Sequence, residues 1–500
     1  MKSYFPRLIR LAVWSSALAL LASACAPLPN PAPDRSAPAK PADTPTPTPQ
    51  ITPLPTRQLF EPGQLVDYTV QTGDTLPALA IRFNTSEEEI RAANPIIPIS
   101  ATTLPPGMPM KIPIYYLPLW GTSYQIIPDQ LFINGPAQIG ADTQKFVASQ
   151  PGWLKFYQEY IADGSRTGAE LVDIVARHYS VSPRLLLAIL DYQTGALSRT
   201  DFPTDLAPYF MGSRDYAHKS LYLQLGWAAN LLNDGYYSYR QGKLPSFEHL
   251  DGRLERPDPW QNAATVAIQY YFSRIVDGPT YDLAISGEGL AKTYSLLFGN
   301  PWKAAPPHIP GSLTQPELRL PFEPDRVWAY TGGPHTGWGD AQPYAALDFA
   351  PPSLVSGCVD TDQWVTAIAP GVIAFAEPGL AILDLDGDGD IRTGWTIFYL
   401  HLATRDEIAQ GAIVKAGDHM GHPSCQEGHA TGTHIHIARL FNGEWIPAGG
   451  IGGNILAFNM EGWEARAGDQ AYVGTLVKFG QVLHACTCSD VTSQLASSFK

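Results

Sequence analysis

Long apolar runs are missing from this 500-residue chain: no stretch approaches the roughly 20 consecutive apolar residues of a membrane-spanning helix. Positive charge is also short, with 33 Lys and Arg against 47 Asp and Glu and a net charge of −14. That balance excludes binding to nucleic acid through its phosphates, which needs a basic surface, and leaves sugars and peptides open. Cysteine is scarce, five in all, and the first stands apart at Cys25. What is present is ordinary for folded protein. The hydrophobic fraction is 45%, and the length is too great for one core, so two to four domains are expected.

Lys2, Arg7 and Arg10 precede an apolar segment, Leu11 to Leu21, that is too short to span a bilayer. Ala22-Ser23-Ala24-Cys25 follows. Residues 1–25 resemble the signal peptide of a bacterial lipoprotein, which implies export, acylation of Cys25 and a lipid anchor holding the chain to the membrane on the extracytoplasmic side. Residues 26–58 carry Thr-Pro-Thr-Pro-Thr-Pro and read as an extended tether with no core of their own. An oxidising compartment permits disulfides. Cys358 with Cys425 is the expected pair, and Cys486 and Cys488 remain unassigned.

From Asp67 to Ile114 the pattern is strand, helix, helix, strand. Tyr68-Thr69-Val70 is β-prone. Asp74 is placed to cap a first helix, with Pro77 in its first turn, and Ser86 with Glu89 forms a capping box for a second. Tyr68-Thr69-Val70-Gln71-Thr72-Gly73-Asp74-Thr75-Leu76 and the later Asn94-Pro95 resemble a LysM module, over residues 65–114. The resemblance implies binding to N-acetylglucosamine-containing glycans such as peptidoglycan.

Residues 145–305 repeat apolar positions at helical spacing, in Gly168 to His178, Pro183 to Tyr192, Leu221 to Leu232 and Ala263 to Ile275. An all-α domain is expected. Val181 to Leu190 resembles the lead-in to the catalytic helix of lysozyme-like transglycosylases, whose next turn carries a glutamate general acid. Gln193 and Thr194 stand there instead. An amide cannot protonate a glycosidic oxygen, so this domain is read as inactive.

Beyond residue 315 short β patterns take over, up to about 490. Val365 to Phe375 reads as two strands around Pro370-Gly371, and Thr396 to Leu402 and His434 to Ala438 as two more. Eight of the twelve histidines lie at or beyond His335. In His434-Ile435-His436, strand alternation sends both imidazoles to one face. A carboxylate with imidazoles, and one position left open, suits catalytic Zn²⁺. His335 in Gly332-Gly333-Pro334-His335, Asp348, Tyr399-Leu400-His401-Leu402 and Gly432-Thr433-His434-Ile435-His436 together resemble the lysostaphin-type (LytM-like) zinc metalloendopeptidases, which cut peptides of peptidoglycan. Ala369-Pro370-Gly371-Val372-Ile373 and Gly417-Asp418 fit the same pattern. The resemblance implies His335, Asp348 and His436 as zinc ligands and His401 and His434 as the catalytic pair. Twelve residues separate His335 from Asp348, where many relatives have three. His422 and His429 are rival ligands. Asp384, Asp386, Asp388 and Asp390 are spaced as in a calcium loop but lack its closing glutamate, so a Ca²⁺ site and a polar turn are both open.

The expectation is a multidomain α+β protein: a βααβ LysM module, a central all-α domain and a β-dominated metallopeptidase domain. Its function would be zinc-dependent cleavage of stem or cross-link peptides in peptidoglycan, at the cell envelope. The rival reading is a non-catalytic wall-binding protein or an activator of another hydrolase. Activators of this type have typically lost metal ligands, and here all the expected ones are present.

Overall fold

The computed structural model describes residues 54–498 apart from 56–58, 163, 304–305 and 489. The export signal, Cys25 and nearly all of the tether lie outside the described residues. Among the described residues no helix is long and apolar enough to cross a membrane.

Strands β1 (Gln64–Thr69) and β2 (Pro109–Ile114) pair antiparallel, flanking helices α1 (Leu76–Arg82) and α2 (Glu87–Ala93). Val66, Tyr68, Leu79, Phe83, Ile90 and Ile112 fill the space between them. Ser86 and Glu89 cap α2 reciprocally. Asp74 does not cap α1, which follows Thr75 without a side-chain cap. Its carboxylate turns inward and accepts from Tyr68 Oη at 2.6 Å, the Gln71 amide at 2.8 Å and Arg82 at 2.8 Å. A buried arginine within reach wins the carboxylate from the helix end, because a buried cation is more costly to leave unpaired than a partly solvated N–H.

The central region holds α3 (Thr143–Ser149), a hairpin of β3 (Gln158–Ile161) and β4 (Gly164–Thr167), α4 (Gly168–Tyr179), α5 (Pro183–Thr194) and α6 (Leu221–Arg240). A two-residue-per-strand hairpin of β5 (Phe247–Glu248) and β6 (Leu254–Glu255) precedes α7 (Ala263–Ser273), α8 (Gly278–Ala284) and α9 (Leu290–Phe298). The two hairpins correct the all-α expectation. They are too short for a period-2 pattern to emerge from the sequence. Thr167 with Glu170 caps α4, and Ser182 with Pro183 opens α5. Helices α6 and α7 approach so closely that a Cβ on Gly235 would lie 2.8 Å from the Ala267 Cα.

The last region is β7 (Val327–His335), β8 (Ala346–Ala350), β9 (Val365–Thr366), β10 (Gly371–Glu377), β11 (Leu380–Asp384), β12 (Trp395–Leu400), β13 (Ile413–Val414), β14 (His419–Gly421), β15 (Ile435–Phe441), β16 (Glu444–Trp445), β17 (Asn459–Met460), β18 (Trp463–Ala467), β19 (Gly474–Lys478), β20 (Gln481–His484) and β21 (Gln494–Ala496). An antiparallel sheet runs β13-β10-β11-β12-β15-β8-β7-β21, with β16 added to β15, and a second runs β17-β18-β19-β20. Pro370-Gly371 is not a hairpin turn. Both edges of β10 are taken by β11 and β13, so β9 pairs with β14 in a separate sheet.

Along β12, Ile397 and Tyr399 enter one apolar core while Phe398 and Leu400 enter another, which continues into α4 to α9. The main sheet is therefore covered on both faces, and its inner strands are apolar on both sides.

Candidate metal centre

Strand register assembles the site. Asp348 on β8 lies directly opposite His436 on β15, and His436 lies opposite Leu400 on β12. Asp348 and Gly332 on β7 are partners too, and an irregularity there brings His335 into line with Ala346. Gly332 is required by this closeness: a Cβ there would lie 2.3 Å from Asp348 Oδ2.

The side chains converge. His335 Nε2 lies 3.0 Å from His436 Nδ1 and 3.2 Å from Asp348 Oδ1, and His436 Nδ1 lies 3.4 Å from that oxygen. The other ring nitrogens face carbonyls, His335 Nδ1 at 2.8 Å from Gly333 O and His436 Nε2 at 3.1 Å from Gly337 O. A carbonyl only accepts, so those nitrogens carry the protons and the inward ones are lone pairs. Asp348 Oδ1 is buried and receives no hydrogen bond. Two lone pairs and a carboxylate oxygen pointed at one spot fit a divalent cation of the zinc type, with N and O donors in three places. A proton is the other species that suits the spot. Burial drives His335 toward the neutral form, but the Asp348 charge beside it and the Gly333 carbonyl outweigh it and raise its pKa. Burial likewise opposes ionisation of Asp348, yet His335 and His434 hold its pKa well below the carboxylate norm.

His401 and His434 flank this trio, their rings 4.5 Å apart. His434 precedes β15, its Nε2 3.7 Å from Asp348 Oδ1 and its Nδ1 2.7 Å from Gly432 O. His401 sits at φ +70°, a left-handed conformation costing about 1 kcal/mol or more in a non-glycine residue. It is held there by Ser424, whose N–H and Oγ both donate to His401 O. His401 Nδ1 faces Gln426 O at 3.0 Å. Burial, then the neighbouring His434 and His436, push its pKa down to about 4, so the ring is neutral at pH 7 and its free nitrogen is a proton acceptor.

A disulfide between Cys358 and Cys425 ties the segments around this pair, and Thr433 Oγ1 exchanges hydrogen bonds with Val359 N and O at 2.8 and 2.6 Å. Cys486 and Cys488 are joined as well. His422 is not with the trio. It packs at a tilt against Trp364 and faces Gln363 O at 2.9 Å, and His429 is exposed. Asp384, Asp386, Asp388 and Asp390 form the turn between β11 and β12. Their oxygens accept from the turn's own N–H groups, and Arg392 holds Asp390. Burial, against the Gly389 N–H and reinforced by Asp386, pushes Asp384 up to about 6. These contacts are those of a self-satisfied polar turn.

Two residues gave no signal in the sequence. Tyr472, in the loop between β18 and β19, stacks on His335 with ring centroids 4.2 Å apart. Trp364 lies against both His419 and His422. Gln193 accepts from Tyr271 Oη at 2.9 Å in the helical core and has no part in the trio.

Residues 68–113 match the LysM domain family, and residues 125–311 match the family described as LasA, N-terminal domain. The chain is 23% identical over 339 residues to protease LasA from two strains of Pseudomonas aeruginosa, covering 64% of this chain and 74% of that protein. It carries a LysM domain followed by a region similar to protease LasA. The family match over the helices gives that region a likeness other than the lysozyme-like one. Among solved structures, the M23 metalloprotease pseudoalterin from the deep sea is 23% identical over 34% of this chain and 96% of its own, with a TM-score of 0.29. The lysostaphin catalytic domain from Staphylococcus simulans is 24% identical over 25% and 90%, with a TM-score of 0.18.

Proposed function

We propose that this chain is a zinc-dependent endopeptidase of peptidoglycan, cutting stem or cross-link peptides outside the cytoplasm. In this reading the LysM module holds the enzyme on the glycan and an acylated Cys25 tethers it to the membrane. The observation that carries the reading is the convergence of two imidazole lone pairs and an unpaired buried carboxylate oxygen, with two further histidines beside them. His335, Asp348 and His436 would hold the ion. Bound there, zinc supplies a Lewis acid that polarises a peptide carbonyl and acidifies water toward a pKa of ~7.

The chain's own groups do the rest. His401, neutral and oriented by Gln426 O, would take the proton of the attacking water. His434, oriented by Gly432 O, would steady the negative charge on the carbonyl oxygen. The likeness to protease LasA supports peptidase chemistry, and the LysM match supports a glycan-containing target. Mass spectrometry of purified peptidoglycan before and after digestion tests this. Zinc-dependent release of new amino termini is expected, and an undigested wall in the presence of zinc would refute the enzyme reading.

A further inference from the structure

The loop from Thr336 to Ala345 joins β7 to β8 and makes up most of the long spacer between His335 and Asp348. These strands pair antiparallel, a step that a two-residue turn can make. The remaining length leaves the sheet and lies on the helical region.

Asn230 and Asp234 stand one turn apart on α6 and share a face. Asn230 Oδ1 accepts from Asp340 N at 3.1 Å, and Asp234 Oδ1 accepts from Gln342 N at 2.9 Å. Between them the loop backbone rests directly on the helices: a Cβ on Gly339 would lie 2.4 Å from Asn230 Oδ1 and 2.6 Å from Tyr179 Cε1. Trp338 packs against His178 of α4, with ring centroids 4.1 Å apart. Gly337 is pressed onto Trp445, where a Cβ would lie 2.7 Å from the indole ring. Trp445 is itself held by the helices, its Nε1 donating to Tyr179 O at 3.3 Å and its backbone N–H to Tyr237 Oη at 3.0 Å.

This line of contacts ends at the metal trio. Gly337 O faces His436 Nε2 at 3.1 Å, which fixes the nitrogen that carries the proton and the one that points inward. His335 lies two residues before Gly337 on the same segment. A displaced loop would therefore disturb both imidazoles, while Asp348 stays in the sheet opposite His436.

We propose that Asn230 and Asp234 are positioning residues of the metal centre: through the loop backbone, α6 sets the place of Gly337 O and with it the aim of the His436 lone pair. The inference rests on the zinc reading of the trio. It adds that the helical region is a working part of the metal site, and it gives the long spacer a purpose.

The test uses the full purified chain carrying Asn230→Ala, Asp234→Ala or both. Asp234→Asn is the conservative control, because its amide oxygen can still accept from Gln342 N. Zinc affinity is measured by competition with a chelator. The visible absorption of the Co²⁺-loaded protein reports ligand geometry, and a melt of the metal-free protein reports stability. The double alanine variant should bind zinc about tenfold more weakly, at the lower end of the roughly 10–100-fold that an outer partner of a metal ligand contributes. Its cobalt spectrum should change as well. Each single alanine variant should lose affinity severalfold, and these carry the test if the double variant does not fold. Asp234→Asn should keep the wild-type affinity. Wild-type zinc affinity and cobalt spectrum in the alanine variants would overturn the proposal even beside a lower melting temperature, because the helix would then supply stability alone. An equal loss in Asp234→Asn and Asp234→Ala would overturn it too. A wild type that takes up no zinc in the same titration would overturn the metal reading itself, and this inference with it.

Discussion

At the scale of single residues, the three inward-facing donors set the first expectation. His436→Ala removes one lone pair and should abolish the roughly one zinc per chain expected of the wild type. His434→Ala should leave most of that metal in place, because His335, Asp348 and His436 are untouched. Elemental analysis of the purified variants checks this, and equal zinc in wild type and His436→Ala would remove the assignment. Turnover should separate from metal content. His401→Ala and His434→Ala should each lower release of amino termini by about 10²–10⁴-fold, the usual contribution of a positioned acid–base group. Gln193→Ala, which removes only an acceptor for Tyr271, should change turnover little. Legibility at this scale followed chemistry that repeats with a period. His434 and His436 could be read as sharing a face because strand alternation is local. Tyr472 could not, because it reaches His335 from a loop over a hundred residues downstream, at a position with no regular period. Asp74 misled for a related reason: its position fitted a helix cap, and only the fold revealed Arg82 beside it.

Elements tell a similar story. The second helix of the module was legible because Ser86 and Glu89 cap it within one turn. The Pro370-Gly371 turn was misread because pairing is decided by which edges are free, and β11 and β13 already occupy those of β10. The loops entering the metal centre depend on cross-links between distant segments, of which the Cys358–Cys425 disulfide is the pair expected from the sequence and the Val359–Thr433 bonds are not. Cys358–Cys425 joins positions 67 residues apart, and the Val359–Thr433 hydrogen bonds lie beside it, one residue before His434. A double Cys358→Ser, Cys425→Ser variant should lose roughly 2–4 kcal/mol of stability. It should also turn over more slowly, because the segment that aims His434 is released. Denaturant melts and kinetics on the same preparation measure both, and unchanged values would show that the hydrogen bonds alone hold the loop.

Across the whole molecule, one buried cluster joins three regions. Arg240 at the end of α6 pairs with Glu444 of β16 at 3.0 Å, lies 3.7 Å from Asp129 and donates to Thr72 O in the module. His308 Nε2 lies 2.5 Å from the same Glu444 oxygen, and Tyr236 Oη donates to it at 3.0 Å. Thr103 and Ile309 add further bonds between the module and the segment leading into the β region. The module is thus packed in, and deleting Asp67 to Ile114 should cost stability as well as sedimentation with insoluble peptidoglycan. A point change in the cluster is the cleaner probe. Burial alone would raise the Glu444 pKa, but Arg240 and His308 overcome it and lower it from an ordinary 4.5 to about 2. A depressed carboxylate contributes stability that is complete above its unfolded pKa and disappears as the pH falls through the folded one. The window is therefore about pH 4.5 down to 2, and a shift of this size corresponds to about 3 kcal/mol. Asp348 is also depressed, so the wild type loses stability in acid at more than one site. The diagnostic is the difference between two curves. Glu444→Gln should be less stable than the wild type by roughly 3 kcal/mol at pH 7, because Arg240 is left buried beside an amide. The gap should close as both proteins are taken from pH 5 to pH 2. Urea unfolding at intervals across that range measures it, and two parallel curves would show that Glu444 does not carry the acid sensitivity of the joint.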